Sequence, residues 1–200
     1  MAKRILGIVG SYRKGGVIDT LVTETLAAAA EQGARTSKIY LLDQRIEFCA
    51  NCRVCTQKPG PEPGNCVQKD DMAAILAEYR DADAVVIGAP VNFYNVNALT
   101  RKFMERLVCC AYWPWGAHGP RMRVKNPSKP AVLISSMAMP TILGRLFNGV
   151  PRALKLIATT LGAKPVGTIL VGMIAQREHP AVPAKALQRA RDAGRILATA

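Results

Sequence analysis

Two hundred residues, half of them hydrophobic, exclude a disordered chain and suffice for one domain with a sizeable core. No apolar run approaches the roughly 20 residues that span a bilayer, and Ile5–Val9 is too short for a signal-peptide core, so a single domain over 1–200, in the cytoplasm, is expected. The net charge of +13 is lopsided: residues 1–105 hold 13 Lys/Arg and 12 Asp/Glu (+1), and residues 106–200 hold 14 Lys/Arg against Glu178 and Asp192 (+12). Those basic residues are scattered, without a helix-turn-helix or an aromatic-interleaved pattern, which disfavours nucleic acid; an acidic protein partner or an anionic cofactor fits as well.

In chain order, Ile5-Leu6-Gly7-Ile8-Val9 has no polar alternation and predicts a strand buried on both faces. Gly10-Ser11-Tyr12-Arg13-Lys14-Gly15-Gly16 follows, then Leu21, Val22, Thr25, Leu26 and Ala29 at helical spacing. A strand, a small-residue loop and a helix N-terminus together make an anion site. A plain strand–helix turn with two solvated cations is the alternative. The loop matches neither the lysine-containing P-loop nor the dinucleotide fingerprint, so a mononucleotide phosphate suits it better.

Thr36–Leu42 predicts a second strand. Residues 44–69 have no sustained period and predict a long functional loop. Asp70-Asp71 then caps a helix with the buried stripe Met72, Ile75, Leu76 and Tyr79. Ala84–Gly88 is the third strand, followed by a loop over Ala89–Asn97 and a helix carrying Leu99, Phe103, Met104, Leu107 and Val108. An irregular stretch, Cys109–Lys129, precedes the fourth strand, Ala131–Ser135. One helix is expected over about 143–161, the fifth strand over Val166–Val171, and a last helix from about Pro183. This alternation predicts a doubly wound, five-stranded parallel α/β sheet with helices on both faces. Its ligand belongs beyond the strands' carboxyl ends, where the strand order reverses.

The long loop holds Cys49-x2-Cys52-x2-Cys55 and, after a ten-residue gap, Cys66. Consecutive x2 spacings favour a four-iron cluster. Four-thiolate zinc normally uses two separated pairs, and unmetallated thiols are the third reading. Cys109 and Cys110 read as packing. Tyr112–Gly119, with Trp113 and Trp115, reads as a lid or a subunit contact near the bound cofactor, or as core; His118 is not assigned to catalysis.

Gly10–Gly16, Ala89-Pro90-Val91-Asn92-Phe93 and Arg101–Arg106 resemble the flavodoxin-like NAD(P)H-dependent FMN reductases. With Cys49, Cys52, Cys55 and Cys66 added, the chain looks most like the iron–sulfur flavoproteins of that superfamily, over about residues 3–175. The resemblance implies FMN, its phosphate held by Ser11, Arg13, Lys14, Gly15 and Gly16. Pro90, Val91, Asn92, Phe93, Tyr94 and Asn95 would follow the ribityl chain and ring edge, and Ser135, Ser136 and Met137 would complete the site. Val17 and Ile18 stand where relatives often carry Asn-Thr, which throws the phosphate onto Arg13, Lys14 and backbone N–H groups. Met137 and Met139 individually read as core.

The resemblance also implies an oxidoreductase in which ferredoxin or NAD(P)H supplies electrons, a [4Fe-4S] cluster relays them, and FMN passes them to a small acceptor, in a homo-oligomer. A cluster-free NAD(P)H:FMN or quinone reductase is the alternative enzyme. A flavodoxin-like carrier is the non-enzymatic one, though such carriers are typically acidic. A zinc-stabilised redox sensor is the fourth reading.

Overall fold

A computed structural model describes residues 2–199. Five parallel strands form its core: β1 (Arg4–Val9), β2 (Arg35–Tyr40), β3 (Ala84–Asn92), β7 (Lys129–Ser136) and β8 (Ala163–Val171), in the order β2-β1-β3-β7-β8. A short strand β4 (Asn95–Val96) folds back antiparallel on β3, and β5 (Ala111–Tyr112) pairs with β6 (Arg121–Met122) outside the main sheet. The expected doubly wound α/β architecture is what forms.

Side chains alternate between two buried layers, as a pleated sheet covered on both faces requires. Ile5, Val9, Val86, Val132 and Ile134 pack under α1 (Val17–Ala30) and α6 (Ala184–Thr199). Leu6, Ile8, Val85, Ile87 and Leu133 pack under α2 (Met72–Asp81), α3 (Ala98–Arg106) and α5 (Val150–Thr160). The chain leaves β1 to one side for β2 and returns on the other for β3. The reversal therefore falls between β1 and β3, and a crevice opens beyond their carboxyl ends.

Three expectations are adjusted. The second strand ends at Tyr40, and Leu41–Asp43 turns as a 3-10 helix. The third strand runs on to Asn92 instead of ending at Gly88. The single helix over 143–161 is two: α4 (Thr141–Phe147) and α5, broken at Asn148-Gly149. Pro151 sits in the first turn of α5, where its missing N–H does no harm, but it could not continue a helix begun at Thr141. Asn148 Oδ1 accepts from Val150 N–H (2.9 Å) and starts the second helix. No helix among the described residues is long and apolar enough to cross a membrane.

Candidate flavin mouth and cysteine lobe

The loop after β1 is shaped largely by its own hydrogen bonds. Ser11 Oγ accepts from Arg13 N–H (3.1 Å), and Gly16 N–H donates to Arg13 O (3.3 Å). Gly15, at φ +72°, donates its N–H to Asp19 Oδ2 (2.6 Å). Asp19 is buried and also accepts from Lys38 Nζ (2.9 Å) and Tyr40 Oη (2.9 Å). Burial opposes its charge, but the Gly15, Lys38 and Tyr40 donors outweigh it and hold the carboxyl below its ordinary value. Asp19 thus pins the turn instead of capping α1. No side-chain cap bond forms at Gly16, so α1 opens with its N–H groups free of a capping side chain.

Two cations expected at this loop point elsewhere. Lys14 Nζ pairs with Asp43 (2.7 Å), and Arg13 donates to Glu178 O (3.0 Å). Val17 and Ile18 are buried in the α1 layer and offer the loop no hydroxyl or amide donor. Ser11 is buried too, its oxygen engaged with the Arg13 backbone.

The loop after β3 locks onto the first one. Asn97 caps α3 by accepting from Thr100 N–H (2.9 Å), while its Nδ2 donates to Gly10 O (2.8 Å); Thr100 Oγ1 donates to the same carbonyl (3.0 Å). A Cβ on Gly10 would overlap Thr100 Oγ1, so this close approach demands glycine. Tyr12 Oη accepts from Leu99 N–H (3.2 Å) and bridges the two loops. Asn97, read only as the last residue of a loop, thus caps a helix and also bonds 87 residues back.

Between β3 and β4, Phe93 (φ +45°) and Tyr94 (φ +60°) form a two-residue turn with both residues left-handed. Such turns prefer Asn-Gly, and a side-chain-bearing residue there loses roughly 1–2 kcal/mol. Phe93 is fully exposed, and Asn92, Tyr94 and Asn95 are exposed with it, while Pro90 and Val91 are half-buried. Tyr94 O accepts from Gly149 N–H (2.7 Å), so the break between α4 and α5 supports the turn. At the end of β7, Ser135, Ser136 and Met137 are all buried. Ser135 Oγ has no partner among the described residues. Met137 donates its N–H to Val171 O (2.9 Å), and its sulfur lies near Asn148 Nδ2 (3.7 Å). Its side chain is core, as read for it individually.

The cysteine lobe is built differently. Its ends are drawn together by the aspartates read above as a helix cap. Asp71 accepts from Arg45 N–H (2.7 Å), and Asp70 from Glu47 N–H (2.7 Å) and Met72 N–H (3.2 Å). Asp70 also pairs with Arg106, both side chains almost wholly buried. Arg106 further donates to Glu47 O (2.9 Å) and Cys66 Sγ (3.4 Å). Arg123 reaches Cys55 O, Gly60 O and Cys109 O, each at 3.0 Å. Neither arginine carried a sequence signal for this role.

Cys49, Cys52, Cys55 and Cys66 line one small cavity together with Arg106. Cys52 and Cys66 are exposed, Cys49 is half-buried and Cys55 is buried. Burial, and then the thiols of Cys109, Cys66, Cys49 and Cys52, push the Cys55 thiol up to about 11. Among the described residues no three ligating side chains converge closely enough to hold a metal ion. Cys109 and Cys110 are buried, in keeping with packing. A wider cavity of about 700 Å³ lies on the other side of the return segment against α2, and none of its walls comes from the three loops at the sheet's carboxyl end.

The tryptophan loop packs against this lobe. Trp113 N–H donates to Thr56 O (2.9 Å), and Trp115 N–H to Gln57 Oε1 (3.0 Å).

The model of the NADPH-dependent FMN reductase family matches residues 3–140. An iron-sulfur flavoprotein of Methanocaldococcus jannaschii is 37% identical over 103 residues, 52% of this chain and 51% of that protein. One from Archaeoglobus fulgidus is 30% identical over 122 residues, 61% of this chain and 50% of that protein. The chain thus spans about half the length of these curated relatives. Among solved structures, the NAD(P)H:quinone oxidoreductase from Methanothermobacter marburgensis aligns over 98% of this chain and 100% of its own, with TM-score 0.75 and 16% identity. An FMN-dependent NADH-azoreductase from Bacillus anthracis aligns over 100% and 98%, with TM-score 0.68 and 14% identity. These two establish likeness of fold. By the match over residues 3–140, the chain belongs to the NADPH-dependent FMN reductase family.

Proposed function

We propose that the chain is an FMN-dependent oxidoreductase that draws electrons from NAD(P)H or ferredoxin and delivers them to a small acceptor. The observation that carries this is the mouth itself: α1 opens with no side-chain cap beside a Gly10 carbonyl clamped by Asn97 and Thr100. Backbone N–H groups at that helix end suit a phosphate. Gly15 and Gly16 would let it approach, and Ser11 and Asp19 hold the loop's shape. Arg13 and Lys14 would need only to exchange exposed partners to face it. Pro90–Asn95 would flank the ring, with Phe93 and Tyr94 offering aromatic surface, and Ser135 and Ser136 closing the third side. Bound FMN supplies hydride and single-electron transfer, which no side chain here provides.

For the cysteine lobe we propose a four-iron cluster held by Cys49, Cys52, Cys55 and Cys66. The shared cavity and the Arg106 N–H aimed at Cys66 sulfur support it, and thiolates there would gain from that buried cation. The thiols would have to swing inward from the walls they line. Such a cluster would supply a one-electron relay. That no three ligating side chains converge among the described residues favours, as a second reading, a cluster-free NAD(P)H:FMN or quinone reductase. Six free cysteines fit a reducing cytoplasm, and the two hydrophobic layers of one sheet fit a single domain. Exposed Phe93, Ile142, Leu146 and Phe147 near the mouth support a homo-oligomer.

Anaerobic purification followed by flavin, iron and sulfide assays tests this. One FMN and about four irons per chain, with bleaching by either NAD(P)H or reduced ferredoxin, are expected. Flavin bands without iron would select the cluster-free reading, and a colourless protein that takes up no FMN would end both.

A further inference from the structure

We propose that Arg53, held over the rings of both Trp113 and Trp115, is the positioning residue that keeps the cysteine loop folded around its thiols. This rests on the reading that those thiols hold the cluster. The guanidinium carbon lies 3.8 Å from the centroid of the Trp113 ring and 4.2 Å from that of Trp115. One Arg53 nitrogen also donates to Trp113 O (2.7 Å) and Pro114 O (3.3 Å). The cation, its Nε buried without a partner among the described residues, thus lies over both rings while one of its nitrogens bonds two carbonyls of the same loop. A planar, weakly hydrated guanidinium can do this; an ammonium has no plane to stack.

Arg53 lies between Cys52 and Cys55, and its backbone is where the loop changes direction. It has φ +57°, and Asn51 has φ +51°. Residues with a side chain adopt this conformation when their surroundings impose it. The Arg53 carbonyl then accepts from Thr56 N–H (3.0 Å), Thr56 Oγ1 (2.9 Å) and Gln57 Nε2 (3.0 Å). Those bonds close the 3-10 turn Val54–Thr56 that carries Cys55 inside. The tryptophan loop returns to the same turn through Trp113 N–H on Thr56 O (2.9 Å). One residue therefore fixes the turn by its carbonyl and anchors it by its side chain. Releasing the side chain frees the turn and, with it, Cys52 and Cys55.

Two readouts test the clamp. The first is the rate of Cys55 alkylation by iodoacetamide in metal-free protein, resolved by mass spectrometry. The second is iron bound per FMN after anaerobic reconstitution with ferrous iron and sulfide. Arg53→Ala and the pair Trp113→Ala/Trp115→Ala are expected to raise Cys55 alkylation about tenfold and to lose most of the iron, with FMN affinity unchanged. Arg53→Lys, charged but not planar, should follow Arg53→Ala, whereas Trp113→Phe/Trp115→Phe should keep both properties. Wild-type Cys55 protection and iron content in Arg53→Ala would overturn the proposal. So would a phenylalanine pair that fails like the alanine pair. If the wild type takes up no iron yet Arg53→Ala unmasks Cys55, the cluster reading falls and the clamp stands.

Discussion

The mouth beyond β1 and β3 and the cysteine lobe solve opposite problems. The mouth is assembled from the ends of regular elements, and its recognition groups are backbone N–H donors left open by the sheet and by α1. The lobe is a 26-residue stretch without a strand or α-helix of its own. Arginines and aspartates hold it from outside by bonding its carbonyls and N–H groups. Where regular elements end, open backbone groups are left for a ligand; where no element forms, side chains are consumed in satisfying the backbone. Damage to one region should therefore leave the other largely intact.

The largest expected effect breaks the lobe. Arg106→Leu strands a buried carboxylate and should cost about 3–5 kcal/mol in urea unfolding. Asp70 adds a pH signature. Burial opposes its charge, but Arg106 and the N–H groups of Glu47 and Met72 outweigh that and leave its folded pKa below the ordinary value. A lowered folded pKa gives stability that is full above the unfolded value of about 3.9 and lost as pH falls through the folded one. The stability gap between wild type and Asp70→Asn should be flat from about pH 5 to 8 and shrink below about 4.

Next is the mouth. Gly10→Ala puts a methyl into Thr100 and should cost about 1–3 kcal/mol, with a marked loss of FMN affinity and unchanged iron per folded chain. In a Thr100→Ala background the same change should cost less, since the clash and one clamp bond are removed together. A smaller effect comes from the strained turn. Phe93→Asn/Tyr94→Gly should stabilise the fold by about 1–2 kcal/mol yet weaken FMN binding, separating the turn's strain from its use. Smallest is the exposed Lys14–Asp43 pair, with side chains about half exposed. Asp43→Asn should change stability by less than about 1 kcal/mol and raise FMN affinity slightly by freeing Lys14, an effect lost in high salt.

The sheet was legible because buried apolar runs alternated with helical spacings, and the position of the mouth followed from strand order alone. The break at Asn148-Gly149 was hidden because apolar residues continue on both sides of it. The left-handed turn at Phe93-Tyr94 was illegible for the opposite reason: its residues are the wrong ones for the turn they make, and only the docked Gly149 N–H shows what supports it. The four cysteines announced a lobe, but Arg106 meets Asp70 across 36 residues, and Arg53 meets Trp113 O across 60. No local period encodes such pairs. The contact of Trp113 and Trp115 with the cysteine loop was equally unreadable, since it is made through Arg53, about 60 residues earlier.

The central claim is that the open amino end of α1 holds the phosphate of FMN. Parallel fluorescence titrations of the flavin-free protein with FMN and with riboflavin test it most directly. A helix end plus charge-assisted N–H bonds should make FMN bind about 100-fold more tightly than riboflavin, with inorganic phosphate competing against FMN. Equal affinities for the two, or FMN binding that phosphate does not touch, would contradict it.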